Sequence, residues 1–348
     1  MFLFWPLLAR LRFDRVVSSA EYPGSKMIPA TSALLSLLVL KLLDKERRSH
    51  IDDFNCDDAL GLWAGPTRGK AGPSILTFFA QEQKSQVLCY ANANLTREDQ
   101  PGEVLQFVEF WRDLTGRNPQ WLYFDSRLTT YAELSRLTEQ QIWFVTIRRR
   151  GVGLLRRLAA LPQSVWQQAV IDIPKRRHQR IWYVDERVTL PDYPGEARQV
   201  AVKGLGREQT TLFLSNNFAT TPRQLVTEYA RRNGVEDALG SSVNFFHLDC
   251  LASEVRLNAD LDTVLTVLAH GCYRWLANQL HGFGQAKPKR VYRKFVETPG
   301  TVEIQRGRRI VVSFDRRAHN PILREAQLDQ DCPPIPWLAN HRVQFVYT

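Results

Sequence analysis

The sequence predicts an α/β fold in which a mixed sheet is flanked by helices. Short apolar or alternating runs, typical of strands, lie between segments whose apolar residues recur every three or four positions. From residue 74 to residue 147 the predicted order is strand, strand, helix, strand, helix, strand. With 348 residues, of which 44% are hydrophobic and 24% charged, the chain is long enough to bury a large core.

Residues 1–65 are predicted to form a helical N-terminal region. Pro29 to Ser32 has the composition of a helix start, and the helix is expected to run to Leu43. A second helix is predicted from Asp52 to Trp63, with an acidic first turn that suits the helix dipole. The segment Gly65–Pro73 holds three glycines and two prolines and is predicted to be a loop.

No membrane segment is predicted. The longest apolar run, Ala33 to Leu43, is interrupted by Lys41 and is too short to cross a bilayer. The apolar start lacks the positive region of a signal peptide. The scattered cysteines, which show no paired spacing, are what lead us to expect a cytoplasmic protein.

The next part of the chain supplies most of the predicted sheet. Its elements are a hairpin (Ser74–Gln81 and Gln86–Ala93), a helix (Gly102–Leu114), a strand (Trp121–Asp125), a helix (Thr130–Leu137) and a strand (Ile142–Ile147).

Residues 148–210 are predicted to form a β-rich, basic insertion. Its strand candidates are Ile181–Val184, Val188–Leu190 and Gln199–Lys203. Its cations are Arg148, Arg149, Arg150, Arg156, Arg157, Lys175, Arg176, Arg177 and Arg180. A charge run of this kind is often a solvated face. Because Trp166, Trp182 and Tyr183 are interleaved with the cations, we favour a surface that binds the DNA backbone and stacks on bases.

The C-terminal part alternates between strands and helices. A strand is predicted at Thr210–Asn216, a helix that begins near Tyr229, and a long core helix over Asp260–Leu280. A basic-tipped hairpin is predicted from Thr301–Gln305 and Ile310–Phe314.

Charge and cysteine content restrict the class of protein further. The chain has 46 Lys and Arg against 36 acids, a net charge of +10, which favours a polyanionic partner. Its five cysteines show no C-x-x-C spacing. We interpret them as reduced and expect no zinc site.

The candidate site combines one motif with one upstream acid. Tyr229, Arg232 and Glu236 lie at helical spacing, so that Arg232 and Glu236 share a face at i, i+4. Such a pair is commonly only a solvated surface ion pair. Asp125 ends a short apolar strand, a position at which metal or substrate could bind.

These residues resemble the Y-x2-R-x3-E part of the signature of a large group of bacterial insertion-sequence DDE transposases. Further phrases similar to that family are Phe124–Tyr131, Phe144–Arg150, Tyr229–Arg232 and Arg317–Pro321. The similarity runs from about Ser74 almost to the C-terminus. The family's signature continues with a Lys seven positions after the Glu, where this chain has Val243.

The resemblance implies a ribonuclease-H-like core over residues 74–348, in which residues 148–210 form the insertion. It implies DNA transposition, with Asp125 as the second and Glu236 as the third catalytic acid. Both would hold Mg²⁺, with Mn²⁺ as a substitute, while Tyr229 and Arg232 would lie near the DNA backbone. The implied partners are transposon ends and target DNA, with a homodimer in the DNA complex. The implied location is the bacterial cytoplasm, in association with the nucleoid.

The first catalytic acid of the family is not found. It should lie on a strand before Ser74, where this chain has the Gly65–Pro73 loop. We infer an internal deletion and therefore a catalytically impaired remnant. The alternatives are an active enzyme that uses Asp53 or Asp58, a non-catalytic protein that occupies transposon ends or inhibits intact transposase, and a nuclease unrelated to transposition.

Overall fold

The structure is a computed structural model that describes residues 1–22, 29–45, 76–125, 128–171, 173, 179–205, 209–248 and 256–347. The chain divides into two compact units. One unit comprises Leu95–Glu236, and the other comprises Met1–Asn94 together with Asp237–Thr348. The predicted helix Asp52–Trp63 and the predicted loop Gly65–Pro73 lie outside the described residues.

The helices are α1 (Trp5–Arg10), α2 (Phe13–Ser19), α3 (Ala30–Leu42), α4 (Glu103–Thr115), α5 (Tyr131–Glu139), α6 (Val152–Ala159), α7 (Pro222–Arg231), α8 (Asn233–Phe246), α9 (Arg256–Gln279), α10 (Pro288–Val291) and α11 (Asn320–Ala326). The strands are β1 (Leu76–Gln81), β2 (Leu88–Leu95), β3 (Trp121–Phe124), β4 (Trp143–Ile147), β5 (Gln167–Val170), β6 (Arg180–Thr189), β7 (Glu196–Lys203), β8 (Thr211–Ser215), β9 (Gly300–Gln305), β10 (Arg309–Phe314) and β11 (Arg342–Tyr347).

The Leu95–Glu236 unit is built on a six-stranded sheet with the order β3-β4-β8-β7-β6-β5. Strands β3 and β4 are parallel, and every other neighbouring pair is antiparallel. The parallel pair is connected through α5, as a crossover between parallel strands requires. The predicted α/β class, a mixed sheet with flanking helices, is confirmed at this level.

Helices cover both faces of this sheet. Val200 and Val202 of β7 pack in one apolar cluster with Leu225 of α7. Ala201, between them, packs in a second cluster with Leu158 of α6. Because successive strand residues point to opposite faces, α7 and α6 lie on opposite sides of the sheet.

Local sequence accounts for the start of α5. The Thr130 side chain accepts a hydrogen bond from the backbone N–H of Glu133, and the Glu133 carboxylate accepts from the backbone N–H of Thr130. This reciprocal arrangement satisfies two N–H groups that the first turn of a helix leaves without partners. It defines where the helix between β3 and β4 begins.

One strand prediction in the basic segment is wrong. Ile181–Val184 and Val188–Leu190 were expected to be separate strands, but β6 runs unbroken from Arg180 to Thr189. The polar residues between them continue the ladder because they pair in register with β7, as Glu186 does with Gln199. Strand β7 in turn pairs with β8, so these strands extend the same sheet as β4.

The other unit has one large apolar core. It is formed by residues of α1, α2, α3, α8, α9, β10 and β11, among others. The predicted helix at Pro29–Leu43 is confirmed as α3, which begins one residue after Pro29 and ends at Leu42, one residue before the predicted end. Strands β1 and β2 form a two-stranded sheet, and β9 pairs antiparallel with β10, which confirms the C-terminal hairpin. Strand β11, which was not predicted, adds to β10 in parallel.

Helix α9, predicted as a core helix, buries Leu265, Cys272 and Leu276 in this core, whereas its Val264 is exposed. Asp262 of the same helix pairs with the buried Lys41 ammonium at 2.8 Å. Lys41 also donates to the Phe246 carbonyl at 2.9 Å, so its buried charge has both a counter-charge and a neutral hydrogen-bond partner.

The described cysteines Cys89, Cys272 and Cys332 are free thiols, as predicted for them. Burial raises the pKa of Cys89 to about 11, which keeps this thiol protonated and unreactive at neutral pH. Among the described helices, none has the length and apolar character needed to cross a membrane.

Candidate nucleic-acid interface

The motif residues lie where helix α7 passes into α8. The sequence predicted one continuous helix, but α7 ends at Arg231 and α8 begins at Asn233. At this point the Arg232 N–H donates to the Tyr229 carbonyl and the Val235 N–H donates to the Arg232 carbonyl, each spanning three residues. Asn233 and Gly234 are poor helix formers, which favours this tighter turn.

Tyr229, Arg232 and Glu236 form a chain of contacts. The Tyr229 ring packs edge-on against Phe213 of β8, with centroids 5.3 Å apart. The Arg232 guanidinium carbon lies 5.4 Å from the Tyr229 ring centroid, and Arg232 Nη2 lies 3.2 Å from Glu236 Oε1. The expected i, i+4 pairing is therefore present. Tyr229 anchors the cation to the sheet, and Glu236 extends outward with 64% of its side chain exposed.

Arg232 is constrained along its length. Its Nε atom is buried and has no hydrogen-bond partner within the described part of the chain, while 25% of the side chain remains exposed. A guanidinium fixed in this way has fewer rotamers to lose when it binds an anion. This geometry suits contact with a phosphate group.

Asp125 directly follows β3, the strand-end position that the sequence predicted, and is half-buried. Its carbonyl accepts from the Leu128 N–H at 3.1 Å. Tyr123, two residues earlier on β3, has its pKa raised to about 12 by burial and by the nearby Glu228 carboxylate of α7. The C-terminal half of α7 thus lies close to β3. Proximity of Asp125 to Glu236 stays a prediction.

The described residues do not fit a two-metal centre. No three His, Cys, Asp or Glu side chains come together there as possible metal ligands. Two bound divalent cations need several carboxylate ligands to balance their charge and fix their separation. That Asp125 and Glu236 hold Mg²⁺ or Mn²⁺ stays a prediction.

The predicted DNA-binding arginines after β4 occupy different environments. Arg148 donates to Gln199 Oε1 of β7, and Arg150 donates to Gln209 Oε1 at 3.0 Å. Arg149 is exposed. Because the glutamine amides are neutral, these contacts orient the two guanidinium groups without cancelling their charge. Lys175, Arg176 and Arg177 lie outside the described residues.

Arg157, by contrast, is neutralised. Its guanidinium forms a two-pronged contact with Glu186, with Nη1 2.9 Å from Oε2. The hydrogen bond to Glu186 raises the pKa of Arg157. Glu186 also accepts from the Gln199 amide, so Arg157, Glu186, Gln199 and Arg148 form one network across β6 and β7.

Part of the predicted aromatic surface is wrong. Trp166 is 6% exposed and packs with Leu158 and Leu212, because its large apolar surface fills the core beneath α6. The Lys203 ammonium lies 3.7 Å from its ring centroid. Trp166 therefore cannot stack on a base. Tyr183 is half-buried, and its hydroxyl donates to Gln167 Oε1 at 2.7 Å.

Arg198 is a buried charge that sequence reasoning missed. It is 4% exposed and binds both carboxylate oxygens of Asp185, at 2.9 and 2.7 Å. It also donates to the carbonyls of Asn217 and Thr220. The residue joins β7 to β6 and to the turn after β8. A pattern of alternating polar residues in a strand gives no sign of this burial.

Comparisons with known proteins found no match. No family model matches the chain, and no curated protein matches it.

Proposed function

We propose that this chain is a transposase-family protein that binds DNA and is a catalytically impaired remnant of an active element. The observation that carries the proposal is the contact chain from Tyr229 through Arg232 to Glu236, anchored on the sheet by Phe213. The resemblance gives these three residues roles beside the DNA backbone and the catalytic centre. Their observed contacts are compatible with those roles.

The six-stranded mixed sheet is compatible with a ribonuclease-H-like core. Strand β3, which precedes Asp125, lies at the edge of this sheet. An edge strand leaves a row of backbone groups to which a further strand can add. We place the lost strand with the first catalytic acid at this edge. The residues that precede β1, where the family would carry it, lie outside the described part of the chain.

DNA binding is supported by the charge of the chain and by Arg148, Arg149 and Arg150. The guanidinium groups of Arg148 and Arg150 are oriented by glutamines, and within the described residues none of the three forms an ion pair. Arginines of this kind contact phosphate oxygens without reading the base sequence. We therefore expect binding to duplex DNA with little sequence preference.

A second candidate is a non-catalytic DNA-binding protein that occupies transposon ends or inhibits an intact transposase. The observation that favours it is the Arg232–Glu236 ion pair, since a carboxylate paired with arginine is less available to a metal. Both candidates require DNA binding. They differ in whether the protein retains the assembly that joins two DNA ends.

The test is a binding titration of the purified chain with a labelled 30-base-pair duplex at several salt concentrations. We expect affinity to fall steeply as salt rises, because bound arginines release counterions from the DNA. Chromatography with light scattering then separates the candidates: a complex of two protein chains with two duplexes supports the transposase remnant. Absence of duplex binding by the folded protein contradicts both.

A further inference from the structure

A groove lined by cations lies at α10 and the wide helical turn that follows it. Its volume is about 340 Å³, and its lining residues are Lys287, Lys289, Arg290, Arg293 and Lys294. Sequence analysis singled out none of them. They belong to the unit that contains α9 and β9–β11, whereas the arginines after β4 belong to the other unit.

The backbone of this segment is held firmly. Helix α10 continues into a π-helical turn over Tyr292–Val296, closed by the Glu297 N–H bonding the Tyr292 carbonyl at 2.9 Å. Val291 and Phe295 are fully buried in the large core. The apolar side chains thus anchor one side of the segment while the cations line the other. Single π-turns are frequent at functional sites.

Two of the cations are also held at their charged ends. The Arg290 guanidinium carbon lies 5.1 Å from the Phe283 ring centroid. The Lys294 ammonium lies 2.8 Å from His319 Nε2, and the His319 ring packs 5.6 Å from that of Phe295. Contacts to a ring face and to a neutral imidazole orient these groups but leave their positive charge intact.

The groove has little compensating negative charge. In the described parts of the chain, no carboxylate lies within ion-pair distance of Lys289, Arg290, Arg293 or Lys294. The nearest pairing is Lys287 with Asp237 at 3.9 Å, and both of these side chains are more than 70% exposed. Burial and the charges of Lys294 and Arg290 lower the pKa of His319. This direction is expected for a histidine beside an excess of positive charge.

The chemistry of the groove fits a chain of phosphates. The pair Lys289 and Arg290 precedes the pair Arg293 and Lys294 by four residues, which is about 6 Å along a helix. A duplex strand carries one phosphate per roughly 3.4 Å of helix axis, so two neighbouring phosphates are within reach of the two pairs. The large apolar side chains of residues 281–297 are buried or half-buried, which disfavours a membrane surface as the partner.

We propose that this groove binds the phosphodiester backbone of duplex DNA as a contact surface separate from Arg148, Arg149 and Arg150. The inference rests on the proposed function, because it assumes that the chain binds DNA. It adds a second site of contact, in a different unit of the chain. The ligand is recognised through its phosphate charge, so the site has no base preference of its own.

The test measures the salt dependence of duplex binding for the triple variant Lys289→Gln/Arg290→Gln/Arg293→Gln. Each lost phosphate contact lowers the slope of log K against log salt by about 0.9, so we expect a decrease of up to about 2.7. The matched control is Arg306→Gln/Arg308→Gln/Arg309→Gln, which removes the same charge from exposed positions in the β9–β10 turn and at the first residue of β10. It should change the slope by less than half as much.

A local measurement on the unmodified chain keeps the test independent of variant folding. Acetylation of Lys289 and Lys294, read by peptide mass spectrometry, should fall several-fold when duplex DNA is added. Lys84, an exposed lysine of the turn between β1 and β2, should stay reactive. Vesicles of phosphatidylcholine and phosphatidylserine should give no protection.

The outcomes separate this inference from the proposed function. If the chain binds duplex but Lys289 and Lys294 stay reactive and the slope is unchanged, only the groove is excluded as a DNA site. Protection by vesicles but not by DNA identifies a membrane partner and overturns the inference. If the folded chain binds no duplex at all, the groove and the proposed function are both wrong.

Discussion

The guanidinium of Arg232 and the carboxylate of Glu236 face each other across the break between α7 and α8, with Nη2 and Oε1 3.2 Å apart. An ion pair with 64% of one side chain exposed contributes at most about 1 kcal/mol to folding, because water and salt screen it. The contact therefore contributes little to the stability of the fold. In the proposed function, the two side chains matter for how Arg232 contacts DNA.

Glu236→Gln should strengthen DNA binding. The substitution removes a negative charge and releases Arg232 to contact phosphate, so we expect Kd to fall about two- to five-fold. The free energy of unfolding should change by less than about 1 kcal/mol. Fluorescence anisotropy with a labelled duplex and urea denaturation measure the two quantities.

Glu196→Gln is the matched control for that variant. Glu196 forms a similarly exposed pair with Arg187, with Nη1 and Oε2 3.0 Å apart, on β7 and β6. Its loss should leave Kd unchanged within error. Equal tightening in both variants would show that only net charge matters, and would remove Arg232 from the DNA interface.

Arg148, Arg149 and Arg150 should contribute up to about three phosphate contacts. Replacing all three by Gln should flatten log K against log salt by up to about 2.7, near 0.9 for each contact. The control Arg112→Gln/Arg117→Gln/Arg136→Gln removes equal charge from exposed positions on and near α4 and α5. An unchanged slope in the first variant would show that this cluster is a solvated face.

Features set by neighbouring residues could be predicted from the sequence. The start of α5 follows from Thr130 and Glu133, three positions apart, and the strand that ends before Asp125 follows from its apolar residues. The i, i+4 contact of Arg232 with Glu236 needs only helical spacing. Each of these depends on a few consecutive residues.

Features set by distant residues could not be predicted. Asp262 pairs with Lys41 across 221 sequence positions, and the Lys294 contact with His319 joins two segments 25 positions apart. Strand β6 looks interrupted by its charged residues, and only pairing with β7 makes it continuous. Local periodicity contains no information on such partners.

Asp185→Asn should destabilise the Leu95–Glu236 unit. It leaves the Arg198 guanidinium, 4% exposed, without a counter-charge. Loss of a buried partner commonly costs 3–5 kcal/mol, and because Asp185 is one-third exposed and Arg198 keeps two carbonyl contacts, we expect about 2–3 kcal/mol. Urea denaturation measures this loss. Arg187→Gln, which breaks an exposed pair, should cost less than about 1 kcal/mol.

Because of His270, the free energy of unfolding should decrease as the pH is lowered. Burial, followed by the charge of Arg274, lowers its pKa from 6.5 to about 4. Between these two pH values the unfolded chain binds a proton that the folded chain does not, so the stability that neutral His270 contributes is fully present above pH 6.5 and is lost as pH falls toward 4. Protonation of His270 should lower the free energy of unfolding by roughly 3 kcal/mol over this pH range.

His270→Leu should remove that part of the pH dependence. The His270 Nδ1 atom has no hydrogen-bond partner in the described residues, so Leu leaves no new polar group unsatisfied. His281→Gln, at an exposed position after α9, is the control and should keep the wild-type dependence. Equal slopes of stability against pH in His270→Leu and wild type would contradict the expectation.

The last prediction is that the purified chain does not cleave or join DNA with Mg²⁺ or Mn²⁺. Two-metal phosphoryl transfer needs enough carboxylates to hold both cations in line with the phosphate. The resemblance supplies only Asp125 and Glu236, and the sequence of residues 65–73, with three glycines and two prolines, predicts a loop where the family carries an aspartate-bearing strand. Duplex binding should survive under the same conditions. Cleavage, joining and binding are all measured on one supercoiled and one linear substrate. Cleavage that disappears in Asp53→Asn or Asp58→Asn, but persists in Asp52→Asn, would show that the N-terminal region supplies the first acid and that the chain is an active enzyme.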